Sequence, residues 1–70
     1  MAGAGQKMKP HEERVVKEKE ELDEKLSKLR LFFTSETFGE VNANEQARLK
    51  RQEEAMNTYS EILGERIAAF

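Results

Sequence analysis

Apolar residues recur along two stretches of this chain at the spacing of a helix face. The first stripe is Val15, Leu22, Leu26, Leu29 and Phe33, in steps of three, four or seven that return to one side of a 3.6-residue turn. Lys19 falls on the same line, four after Val15 and three before Leu22, where a helix should present an apolar group to its partner. The second stripe is Leu49, Met56, Tyr59, Leu63, Ile67 and Phe70, flanked by Ala55 and Ile62. Arg66 interrupts it, with Ile62, Leu63, Ala69 and Phe70 at helical contact distance on either side. No segment alternates with a period of two, so no strand is predicted.

The flanking residues place the ends of these helices. Pro10 suits the first position of a helix, where its missing N–H costs nothing. Glu12 and Glu13 follow in the first turn, at the positive end of the helix dipole. The first helix is predicted over residues 10–33, roughly 36 Å at 1.5 Å per residue, too long for a small core to cover. Residues 34–43 form the predicted turn, rich in Thr34, Ser35, Thr37, Gly39 and Asn42. Phe38 is expected to pack back over this end of the hairpin. Asn42 with Glu45 has the spacing of a capping box, and Asn44 is a competing cap. The second helix is predicted over 44–69. Gly64 within it costs about 1 kcal/mol relative to Ala, which close approach of another helix would explain. Residues 1–9 read as a flexible N-terminal arm. The fold class is therefore all-α: one domain over 10–70, an antiparallel helical hairpin that assembles into a homo-oligomer.

Length and charge narrow the function. Seventy residues make one small domain, and such a chain buries only about 60% of its unfolded surface. Without cysteine, and with one histidine, no disulfide or metal staple is evident, which leaves self-association. Twelve Lys and Arg against 14 Asp and Glu, a net charge of −2, argue against a general nucleic-acid coat or duplex binder. No stretch approaches the ~20 apolar residues of a membrane span, and no signal-peptide core is present. A soluble cytosolic protein is expected.

Most charges are explained by helix surface pairing. Glu13 with Lys17, Glu21 with Lys25, and Glu24 with Lys28 are i,i+4 pairs in the favourable order. Lys19 has Val15 four residues before it, and its pairing with Asp23 runs in the weaker order. Either it snorkels past the seam or pairs across an oligomer interface, or it grips an anion. Arg66 has the same two readings: an intersubunit salt bridge, or the planar grip on phosphate that arginine makes. Arg48 and Arg51 form a solvated face or a basic rim, and Arg14 has Glu18 four residues ahead. Tyr59 reads as a core residue. Catalysis has little to stand on. His11 has no second histidine for a metal site. Ser60 has no histidine within helical reach. The run Gly3-Ala4-Gly5-Gln6-Lys7 lacks the spacing and the preceding strand of a phosphate loop. No enzyme activity, metal or cofactor is expected.

The run from His11 through Leu26 resembles the first-helix signature of the small phage anti-CBASS sponge proteins. Met56, Tyr59-Ser60, Leu63, Arg66-Ile67 and Phe70 resemble the second-helix signature of the same family. Phe32-Phe33, the polar turn with Phe38, and the Glu45-Gln46-Ala47-Arg48-Leu49 opening also fit, so the resemblance covers about residues 10–70. It implies a compact helical homo-oligomer, typically a hexamer, that sequesters cyclic oligonucleotide second messengers without cleaving them, in the cytoplasm of the infected bacterial host. It also implies sites between subunits for cyclic di- or trinucleotides. On this reading Lys19 and Arg66, with Arg14 and Lys25 behind them, are the phosphate contacts. The family's dinucleotide site has an aromatic residue near the N-terminal arm that stacks on a base. The only aromatic ring before Phe32 here is that of His11, so stacking falls to His11 and cyclic trinucleotides are favoured. The alternative is an oligomeric, coiled-coil-like hairpin serving as a protein-interaction or regulatory module.

Overall fold

The computed structural model describes residues 8–70, so most of the predicted N-terminal arm lies outside the described residues. Three helices follow in order: α1 (Pro10–Phe33), α2 (Glu36–Glu40) and α3 (Ala43–Ala68). The fold is all-α, with α1 and α3 packed against each other as the arms of a hairpin and no strand among the described residues. The arms run antiparallel, because Lys19 meets Ser60 while Arg30, farther along α1, meets the earlier Glu53.

Side chains close the ends of the helices. At the start of α1 the Glu12 carboxylate accepts from the Lys9 N–H at 2.9 Å, satisfying a donor that the helix leaves free. The segment read as a turn contains the one-turn helix α2. Ser35 caps it, its hydroxyl accepting from the Phe38 N–H at 3.2 Å and donating to the Phe32 carbonyl at 2.6 Å. Asn42 caps α3 by accepting from the Asn44 N–H at 2.8 Å. Glu45 does not complete a capping box; its carboxylate takes the Arg48 guanidinium at 2.8 Å instead. Gln46 reaches back from α3 and donates to the carbonyls of Phe38 and Val41 at 2.8 and 3.0 Å. Phe38 is buried, with its ring centroid 5.7 Å from Phe32, edge-on, and 5.0 Å from Phe33. This aromatic wedge seals the connected end of the hairpin.

The seam between the arms is thin. On α1 it follows the predicted stripe, with Val15 and Leu26 buried and Leu22, Leu29 and Phe33 half-buried. On α3 it runs through Leu49, Glu53, Met56, Ser60, Leu63 and Ile67, all buried or half-buried, with Leu63 fully enclosed. Tyr59 and Phe70, expected on the core stripe, are instead 42% and 45% exposed. A helix turns about 100° per residue, so the side that aims Ser60 at α1 turns Tyr59 away. α3 thus carries two apolar faces, and α1 covers only one.

Candidate functional site

Lys19 occupies the seam position that its spacing predicts. Its ammonium donates to Asp23 Oδ2 and to Ser60 Oγ, each at 2.8 Å. The Ser60 hydroxyl in turn donates to the other Asp23 oxygen, closing a three-membered ring of hydrogen bonds across the two helices. The partners of Lys19 therefore lie within its own hairpin, and one of its three N–H donors remains unspent. Gly64 accommodates the lysine stem: a Cβ there would lie 3.4 Å from Lys19 Cε. The close approach that explains this glycine is by a side chain, not by a helix backbone.

The ring has a definite electrostatic character. Hydrogen bonds from Lys19 and then Ser60 hold the Asp23 carboxyl below its ordinary value, against the opposing pull of desolvation. A lysine, a serine and an aspartate in contact suggest a nucleophile, but the proton inventory argues otherwise. The Ser60 hydroxyl points its hydrogen at a carboxylate kept ionised, which is a weak base, and its oxygen accepts from an ammonium. Ser60 is itself buried in the seam, away from any substrate. The ring is suited to fixing the helix pair and to steadying a cation at the seam's edge.

A second polar layer lies nearer the wedge. Arg30 donates from Nε to Glu53 at 2.8 Å and from its terminal nitrogen to Asn57 at 2.9 Å. Neither this layer nor the place of Ser60 in the seam beside Lys19 and Asp23 is anticipated from the sequence. The available signal was the repeat of four-three steps at residues 49, 53, 56, 60, 63 and 67, which matches 15, 19, 22, 26, 29 and 33 on α1.

The other nominated residues are all exposed: His11, Arg14, Lys25 and Arg66. Among the described residues none of these four side chains makes a hydrogen bond or an ion pair within the chain. The antiparallel pairing carries His11 and Arg14, at the start of α1, to the same end of the hairpin as Arg66 near the end of α3. Among the described residues that end has no counterpart of the Phe38 wedge. Lys25 is not part of this group; it lies midway along the outer side of α1 with Glu21, Glu24 and Lys28 around a shallow groove. No cluster of three or more potential metal ligands exists among the described residues, and none of their helices is long and apolar enough to cross a membrane.

A family model described as Sequestin matches residues 9–69. No curated protein and no solved structure matches the chain.

Proposed function

The chain belongs to the Sequestin family, and from that premise we propose that it sequesters a cyclic oligonucleotide second messenger without cleaving it. Cyclic trinucleotides are favoured over cyclic dinucleotides, and the biological role is to keep the messenger from CBASS effectors inside a phage-infected bacterium. The observation that carries this reading is Arg66: an exposed guanidinium on an otherwise apolar helix face, with no partner for its donors among the described residues. Arginine donors of this kind match the planar oxygens of a phosphate. His11 and Arg14 at the same end support it, as does the unspent donor of Lys19.

A cyclic trinucleotide carries three phosphates in near-threefold relation, so a symmetric homo-oligomer, hexameric by resemblance, can meet it with a few cations per chain. A net charge of −2 is then no obstacle. Lys19 and Arg66 are the foremost phosphate contacts, followed by Arg14 and Lys25, with His11 stacking on a base. Asp23 tempers the contribution of Lys19, since its carboxylate would stand beside any anion bound there.

The second reading, a helical interaction module, draws on the exposure of Tyr59, Ile62 and Phe70. Isothermal titration with a panel of cyclic di- and trinucleotides, followed by denaturation and recovery of the ligand, separates the two. Submicromolar uptake with intact ligand recovered supports sequestration. Heat-silent titrations across the panel would leave only the interaction module.

A further inference from the structure

We propose that the outer face of α3 is a self-complementary interface on which a second copy of this chain docks antiparallel, Tyr59 of each copy stacking on the partner's Arg66. The face consists of Ala55, Tyr59, Ile62, Arg66, Ala69 and Phe70, spaced by one, three or four residues. It lies about 100° around the helix from the seam that α1 covers. Tyr59, Ile62 and Phe70 remain 42%, 47% and 45% exposed on it. Among the described residues the buried apolar set is Val15, Leu26, Phe38 and Leu63, a small core for a helical hairpin. Covering the second face supplies burial that the seam does not.

The order of residues selects the occupant. A two-fold interface is isologous: if one residue meets a second, the second meets the first. An axis at the level of Ile62 and Leu63 sets Ala55 against the partner's Phe70, small against large. It sets Tyr59 against the partner's Arg66, ring against guanidinium, and Ile62 against its own copy. Parallel docking would put two Arg66 side chains together with nothing between them. Antiparallel docking also directs the negative C-terminal end of each α3 dipole along the other copy toward Arg51, which lies about six residues, or roughly 9 Å, beyond the position opposite Ala68. Arg51 is exposed and makes no ion pair among the described residues. This interface deepens the sequestering reading, on which its ligand aspect rests. A guanidinium stacked by its face keeps its in-plane N–H donors free for phosphate.

Single-cysteine cross-linking tests the interface directly, because the chain has no cysteine of its own. Ile62→Cys places two thiols at the axis, within the reach of a disulfide, and is expected to form a covalent dimer on mild oxidation. Leu31→Cys, on α1 and 70% exposed, is the control and should cross-link at least about tenfold more slowly, its two copies being held apart. Equal rates for the two variants overturn the proposal, as does failure of Ile62→Cys to cross-link. Both positions are exposed, and circular dichroism checks that each variant folds. Charge reversal gives an independent test by sedimentation. Tyr59→Arg should dissociate the pair, and adding Arg66→Glu should restore it; a Tyr59→Arg variant that associates like the wild type refutes the stacking pair. Titration with a cyclic trinucleotide separates this proposal from the function it rests on. A chain that cross-links at Ile62→Cys but takes up no ligand sinks sequestration and leaves the interface standing; uptake without such cross-linking does the reverse.

Discussion

Replacing Lys19 by methionine weighs the seam's polar ring against the apolar residue its position invites. The ammonium makes two hydrogen bonds, to Asp23 and Ser60, each at 2.8 Å. The first belongs to an i,i+4 pair with side chains 29% and 45% exposed, worth about 0.3–0.5 kcal/mol at such exposure. The second has a charged donor and contributes about 1.5 kcal/mol. One further loss is avoided and one gain opposes these two. Ser60 keeps its bond to Asp23, so no buried donor is stranded. The thioether also extends the apolar stripe between Val15 and Leu22 by roughly one buried methyl, about 0.8 kcal/mol. Lys19→Met should therefore fold with a stability within about 1 kcal/mol of the wild type. Urea unfolding followed by circular dichroism, at fixed protein concentration because association shifts the midpoint, measures this. A loss above ~3 kcal/mol would refute the reasoning, since only an uncompensated buried charge or a collapsed seam costs that much. The same variant titrated with cyclic trinucleotide addresses the ligand: lost uptake with the fold intact assigns Lys19 to phosphate, whereas full uptake removes it from the site.

Leu63 has no exposed surface, so Leu63→Ala should cost about 2–5 kcal/mol and leave a chain this small largely unfolded in a thermal scan. Gly64→Ala should stabilise by up to about 1 kcal/mol, because its Cβ meets only the flexible Lys19 stem at 3.4 Å; a lowered midpoint would show that the stem cannot shift. The Asp23 carboxyl is held below its ordinary value of 3.8 by Lys19 and Ser60, so its contribution is fully present above that value and lost as pH falls through the folded one. Asp23→Asn should accordingly flatten the acid limb of a stability-against-pH curve, and an unchanged limb would mean that the ring confers no proton linkage.

The hairpin was largely legible in the sequence. The first stripe gave α1 its seam, including the misfit Lys19, because every member returns to one side of the helix. The second stripe misled in part, since two apolar faces share α3 and periodicity alone does not say which one meets α1. Tyr59 and Phe70 went to the wrong face for that reason. Ser60 reads in the sequence only as an unsupported nucleophile and as part of the second-helix signature, and its burial becomes evident only once Lys19 stands opposite. The helix α2 was hidden by its composition: Ser35, Thr37 and Gly39 are turn formers, and one turn of helix is too short for a periodic signal. Arg30 with Glu53 and Asn57 depends on tertiary register, which no local pattern carries. For the nominated cations, residue type and spacing are readable along the chain, but only the antiparallel pairing groups His11, Arg14 and Arg66 and leaves Lys25 elsewhere.

The two ends of the hairpin are built differently, and this sets how the molecule breathes. Phe32, Phe33 and Phe38, with the Ser35, Asn42 and Gln46 hydrogen bonds, clamp one end, while beyond Lys19 the seam among the described residues rests on Val15 and Ile67 without a polar lock between the arms. In an isolated hairpin, opening then travels like a zip from the tips of α1 and α3 toward the wedge, and amide deuterium should enter in that order; docking of a second copy on α3 slows its tip relative to that of α1. The exposed cations His11, Arg14 and Arg66 ride on the tips that yield first. Whatever grips them stiffens the part of the molecule with the most motion to lose, and its arrival is written as slowed exchange at the tips while the wedge stays silent.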